Sequence, residues 1–207
     1  MVRGGRNEER LYLESMESLG IQKTDMSNMV DLIARHKARY YLVGFFCRPG
    51  MRVLDFPCGS GYGSQVLKEF DVMYEGMDFD DIALCYCRAM YGEIFSYGNL
   101  ECPELIENTY DVIACVDGLE HIEMVFQDSL VIRFHEALKP GGILIVSTPE
   151  KKGETVNKYH KHELTRGGFW ALLESTFNGI QILEHEDTLH NGTQTNLMIG
   201  VCKKEGE

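Results

Sequence analysis

The chain has 207 residues, 44% of them hydrophobic and 25% charged, which suits one ordinary globular domain and excludes intrinsic disorder and collagen-like architecture. Its 32 acidic residues against 20 basic ones give a net charge of −12, a surface that disfavours a phosphate backbone as partner. In chain order, the first fifty residues read as helical. Glu8 to Leu19 carries a loose helical stripe, and Ser27 to Phe46 is a stronger helix that Pro49-Gly50 stops. Residues 1–48 are expected to form a helical cap on the unit 49–207, the two making one compact body. From Met51 onward, short β-rich runs alternate with helical stretches. The expected strands are Met51–Asp55, Val72–Met77, Glu93–Tyr97, Tyr110–Val116 and Gly142–Ser147. Helices are expected from Tyr62, from Asp81, briefly near Pro103, and over a long stretch ending at Leu138, where Lys139-Pro140-Gly141-Gly142 makes a sharp turn into a strand. This alternation predicts an α/β domain with a parallel sheet. After a polar loop at Glu150 to Glu163 come a helix capped by Thr165 and two runs, Ile180–His185 and Thr195–Cys202, expected to pair antiparallel.

Seven cysteines stand at irregular spacings, and Met1 to Arg10 has no apolar run behind it. Both features lead to the expectation of a cytoplasmic protein with reduced thiols. The longest apolar run, Tyr40 to Cys47, falls far below the roughly 20 residues of a membrane span.

The segment Val53-Leu54-Asp55-Phe56-Pro57-Cys58-Gly59-Ser60-Gly61-Tyr62-Gly63 follows the first strand and opens a helix. Gly59 and Gly61 let the backbone approach a ligand closely, and the helix N-terminus offers N–H groups. A dinucleotide loop requires G-x-G-x-x-G, but Ser64 stands three residues after Gly61, which argues against a nicotinamide-dependent oxidoreductase. The second strand ends in Asp78, 23 residues after Asp55. A carboxylate there can accept both ribose hydroxyls of a nucleotide, or can serve only as a turn former. Phe79 stands where a ring can lie against adenine, and Asp80 or Asp81 caps the next helix.

The strand-end acid followed by G-x-G resembles motif I of the class I S-adenosylmethionine-dependent methyltransferases, with Asp55, Gly59 and Gly61 matching. Pro57 departs from that pattern, where glycine or alanine is usual. Two later segments are similar to the family as well. Tyr110 to Ile122 contains Leu119-Glu120-His121, and Leu138-Lys139-Pro140-Gly141-Gly142 precedes the fifth strand. The likeness covers about residues 51–149. It implies a Rossmann-like, seven-stranded, mainly parallel sheet flanked by helices, with an antiparallel last strand. It implies S-adenosylmethionine as cofactor, held by Asp55, Gly59, Gly61, Tyr62, Asp78, Phe79, Asn99, Leu100 and Asp117. The strand-end acid of the family contacts the methionine ammonium, partly through water, and Asn99 stands where the family bonds the adenine amine; Asn99 equally suits a turn beside Gly98.

The expected function is methyl transfer to an oxygen or nitrogen of a small-molecule or sugar acceptor. His121, after the fourth strand, and His160, in the loop after the fifth, are the expected catalytic bases; His162 lies in the same loop. No metal is expected, and no nucleic-acid or membrane partner. Two alternatives accompany this reading. Asp117, Glu120, His121 and His160 resemble the metal cluster of small-RNA 2′-O-methyltransferases, although Leu-Glu-His is widespread in members without metal and the net charge argues against RNA. The other is a non-catalytic subunit that binds the cofactor. His36, His135, His185 and His190 read as ordinary surface or helix residues, and Arg39 and Tyr40 as packing and solvation on a helix able to cover the cofactor.

Overall fold

In the computed structural model, which describes residues 26–153, 157–188 and 194–206, the central strands sort their side chains between two cores. Strand β1 (Arg52–Asp55) sends Val53 to one face and Leu54 to the other. In β4 (Tyr110–Cys115), Val112 and Ala114 separate from Ile113 and Cys115 in the same way. In β5 (Leu138–Pro149), Ile145 separates from Leu144 and Val146. Burial on both faces explains why these strands read as continuous apolar runs. One face is covered by Tyr40 and Val43 of α1 (Met26–Phe45), Val66 and Leu67 of α2 (Gly63–Leu67), and Leu84 and Cys87 of α3 (Asp81–Tyr91). The other is covered by Leu130, Val131 and Phe134 of α4 (Met124–Ala137) with Phe169, Leu172 and Leu173 of α5 (Arg166–Glu174).

With β2 (Met73–Asp78), β3 (Phe95–Tyr97), β6 (Gly179–Thr188) and β7 (Gln194–Lys203), the sheet has seven strands in the order β3-β2-β1-β4-β5-β7-β6. The first five run parallel, and β7 is antiparallel to both neighbours. The order reverses between β1 and β4, which opens a crevice beyond the carboxyl ends of those strands. Asp80 caps α3 by accepting from the Ile82 and Ala83 amides, and Thr165 caps α5 by accepting from Gly168.

Two expectations change. No helix forms near Pro103. There the Asn99 side chain accepts from the Glu101 amide at 3.0 Å, and Leu100 and Leu105 both turn into the core, a turn-and-coil path that proline suits better than a helix does. The turn at Lys139–Gly142 is a bulge within a strand. Leu138 already pairs with Tyr110, the ladder resumes at Val112 and Ile143, and Gly141 (φ +78°) takes up the extra chain. Helix α2 is only one turn and a half, continued by a 3₁₀ turn at Lys68–Phe70. The helix expected over Glu8 to Leu19 lies outside the described residues. All seven cysteines are free thiols. Among the described residues no helix is long and apolar enough to cross a membrane.

Candidate active site

Past Asp55 the chain turns through Phe56–Gly61 into α2, at the mouth of the crevice. Gly59 (φ +57°) and Gly61 (φ +77°) both have left-handed backbone, which glycine adopts without steric cost. Their surroundings differ. A Cβ built on Gly59 meets nothing within 4 Å, whereas one on Gly61 stands 2.8 Å from Cys87 Sγ and 3.0 Å from the Phe95 ring. Gly61 therefore packs the loop onto α3 and β3, and a side chain there enters the core rather than the space a cofactor occupies. Gly61→Ala is expected to destabilise the fold by about 2–4 kcal/mol, from left-handed strain plus overpacking. Gly59→Ala should cost only the strain, roughly 1–2 kcal/mol. Equal losses in urea unfolding would overturn this assignment.

Asp78 is 1% exposed and ties the loop to the end of β2. Its Oδ2 accepts from the Gly59 amide at 2.9 Å and its Oδ1 from the Asp80 amide at 3.0 Å. Asp55 is enclosed: Oδ1 accepts from the Tyr40 hydroxyl at 3.1 Å and Oδ2 from the Tyr74 hydroxyl at 2.6 Å. Burial pushes its carboxyl up to about 7, opposed by the two phenols and reinforced by the charge of Asp78. Both oxygens thus serve the chain's own phenols, an arrangement different from the ammonium contact that the resemblance implies.

A second network fastens α1 over the loop. The Arg39 guanidinium donates to Asp117 Oδ2 at 2.6 Å, and the Ser147 hydroxyl donates to Oδ1 at 2.6 Å. Asp117 itself has left-handed backbone (φ +51°). Burial alone would raise its carboxyl, but Arg39, His36, Ser147 and His121 together hold it below the usual range. His36 Nδ1 lies 3.0 Å from the Tyr62 hydroxyl and 3.1 Å from Arg39 Nη1. Tyr62, which is buried, meets His36 and Tyr40 edge-on. Arg39, Tyr40 and His36 are therefore more than the packing and surface residues expected of them. Of the remaining predicted contacts, Phe79 is half-buried beside Asp78, Asn99 forms the turn described above, and Leu100 is buried in the core.

The acceptor side is built from the 3₁₀ turn Leu119–His121 after β4 and the loop after β5. His121 Nδ1 lies 3.2 Å from the Tyr159 carbonyl, which can only accept. Nδ1 therefore carries a proton, and when the ring is neutral its lone pair is on Nε2. His160 Nδ1 lies 2.6 Å from Glu163 Oε1, and its Nε2 lies 2.9 Å from Asn157 Nδ2. The two imidazoles meet edge to face, 5.2 Å between centroids. Glu120, 2% exposed, accepts from the Thr148 hydroxyl at 3.0 Å, and its carboxyl is raised by burial and then by Asp117. The structure thus brings His121 and His160 together. It also brings in Tyr74 and Tyr159, which no sequence signal singled out.

A glycine loop opening a helix, a carboxylate at the end of the next strand and a switch point between them define an α/β fold that holds a nucleoside-bearing cofactor at the carboxyl edge of its sheet. Residues 28–191 match the family described as a methyltransferase domain, and the chain belongs to that family, within the class I S-adenosylmethionine-dependent methyltransferases. It is 30% identical over 162 residues to a probable S-adenosylmethionine-dependent methyltransferase of Mycolicibacterium smegmatis, a match covering 75% of this chain and 60% of that protein. It is 33% identical over 147 residues to phosphoethanolamine N-methyltransferase 3 of Arabidopsis thaliana, covering 67% of this chain and 26% of that protein. The chain thus spans less than two thirds of the length of these curated relatives. A crystal structure of a SAM-dependent methyltransferase from Archaeoglobus fulgidus superposes with a TM-score of 0.67 at 17% identity, covering 84% of this chain and 94% of that one.

Proposed function

We propose that the chain transfers a methyl group from S-adenosylmethionine to an oxygen or nitrogen of a small-molecule or sugar acceptor. The observation that carries this reading is Gly59. Its backbone is left-handed, the space above it is open, and its amide is bonded to the carboxylate that ends β2. Those features fit the cofactor. Gly59, Gly61 and Tyr62 carry the loop beneath it, and Asp78 accepts its ribose hydroxyls. Phe79, Asn99 and Leu100 border the adenine, and Asp55 and Asp117 border the amino-acid end. Bound there, the cofactor supplies an electrophilic methyl on a sulfonium. The chain's own part is to align the acceptor and, for a hydroxyl, to take its proton; His121 and His160 at the carboxyl edge serve that step. The net charge and the small acceptor in the name of the Arabidopsis relative support a small molecule over a nucleic acid.

Calorimetry with S-adenosylhomocysteine is expected to give a binding free energy of roughly −5 to −8 kcal/mol. No heat and no thermal stabilisation at saturating ligand would overturn the reading. Incubation with labelled cofactor and fractionated cell extract would then identify the acceptor. Asp78→Ala is expected to weaken cofactor binding by about 1.5–3 kcal/mol, since a carboxylate bonded to two hydroxyls is charge-assisted. Wild-type affinity in a folded Asp78→Ala variant would reduce Asp78 to a residue that only fastens the loop.

A further inference from the structure

Gln127 is a buried polar side chain with no part in the chemistry proposed for the site. It projects from α4, the helix that Leu130, Val131 and Phe134 fix in the core, and is 2% exposed. Its Nε2 donates to the Leu119 carbonyl at 2.9 Å and to the His162 carbonyl at 3.4 Å. One amide nitrogen carries two N–H bonds, so it can serve both acceptors at once. The two carbonyls belong to the two segments of the acceptor side. Leu119 opens the 3₁₀ turn Leu119–His121, and its carbonyl also takes the Ile122 amide at 3.3 Å. His162 follows His160 in the loop after β5. We propose that Gln127 is a positioning residue for methyl transfer, which holds these two segments in register on α4. This role rests on the methyl-transfer reading, because alignment matters only where an acceptor meets the cofactor at this edge.

The hold is interior and acts on main chain. The Glu120 carbonyl accepts from the Lys161 and His162 amides at 2.7 and 3.2 Å. That clip joins the turn and the loop to each other, and Gln127 joins both to a helix packed in the core. Further along, the loop is fastened again where the Lys151 amide donates to the Leu164 carbonyl at 2.8 Å. By contrast, the Lys161 ammonium meets Glu101 at 2.7 Å with 34% of its side chain exposed, where solvent screens the pair. A side chain without a donor takes the Gln127 bond from both carbonyls. Lysine could supply the hydrogens but would bring a charge into a buried site, whereas glutamine gives two neutral donors. Alignment is the chain's main contribution to transfer from a sulfonium, and a misplacement of about 1 Å can cost roughly 100-fold in rate.

The test compares Gln127→Met, Gln127→Glu and the core control Leu138→Val in the full chain, each checked for a native circular dichroism spectrum. Gln127→Met keeps the length of the side chain and removes the donor. It should speed hydrogen exchange at the Lys161 and His162 amides about tenfold or more. It should lower turnover of the acceptor recovered from labelled extract about 10–100-fold, with S-adenosylhomocysteine affinity within about threefold of wild type. Leu138→Val loosens the core at the amino edge of the sheet, away from both carbonyls, and should leave turnover within about threefold. Gln127→Glu adds a pH signature. Burial keeps its carboxyl protonated near neutrality, when the O–H still donates to one carbonyl, and ionisation removes that donor. The ratio of its turnover to that of wild type should fall between about pH 6 and about pH 9, while the ratio for Gln127→Met stays flat. Turnover within about threefold of wild type in folded Gln127→Met, unchanged exchange at both amides, or a flat ratio for Gln127→Glu would overturn the positioning role. The exchange measurement needs neither acceptor nor cofactor, so it decides the hold separately. A wild-type chain that binds no S-adenosylhomocysteine sinks the methyl-transfer reading instead.

Discussion

His121→Ala is expected to lower methyl-transfer turnover by about 10²–10⁴-fold while S-adenosylhomocysteine binds with nearly wild-type affinity. The split follows from position. His121 follows β4, and the residues that fit the cofactor's ribose and adenine lie after β1, β2 and β3. Its Nδ1–H is committed to the Tyr159 carbonyl, so alanine removes a basic nitrogen held in place at that edge. His160→Ala should cost less, because its loop is supported mainly by Asn157, Glu163 and the clip to Glu120. Initial rates with the acceptor recovered from labelled extract, measured across pH, give the readout. A loss below about tenfold with an unchanged pH profile would mean that the imidazoles only shape the pocket. A chelator that abolishes wild-type turnover assigns the effect to a bound cation, and one that leaves it intact assigns it to the imidazole as base.

Much of the frame is legible in the sequence because it is local. The apolar runs of β1, β4 and β5, the glycine loop and the capping acid of α3 declare themselves within a dozen residues, and the order of elements over 51–149 follows from them. What escapes is set by contacts between distant positions. Arg39 reaches Asp117 across 78 residues, and Tyr74 reaches Asp55 from the neighbouring strand. No periodicity records either. Gly59 and Gly61 look alike as letters in one loop, yet one Cβ direction opens to the crevice and the other to Cys87. The segment around Pro103 reads as a short helix from the alternation of strands and helices alone, whereas Leu100 and Leu105 anchor an irregular path into the core.

Asp55→Asn is expected to reverse its effect on stability between pH 4 and pH 8. The carboxyl titrates near 3.8 in the unfolded chain and near 7 in the folded one, where burial disfavours its charge. Below pH 3.8 both states hold the proton and the group adds no pH dependence. As pH rises from there, the unfolded chain ionises first, and wild-type stability falls by about 1.4 kcal/mol per pH unit until the folded group ionises too. The full loss is on the order of 4 kcal/mol and is complete a little above pH 7. Asparagine removes that term but brings a cost independent of pH. Its amide oxygen still accepts from one phenol, while its NH₂ cannot accept from the other, which leaves Tyr40 or Tyr74 short of a partner at about 1–3 kcal/mol. The variant should therefore be the less stable protein at pH 4, where the wild-type loss is still only about 0.6 kcal/mol, and the more stable one at pH 8. Urea unfolding of both proteins at the two values decides it. A stability difference that stays constant across this range would mean that Asp55 is ionised throughout, as it would be if a cation rather than two phenols faced it.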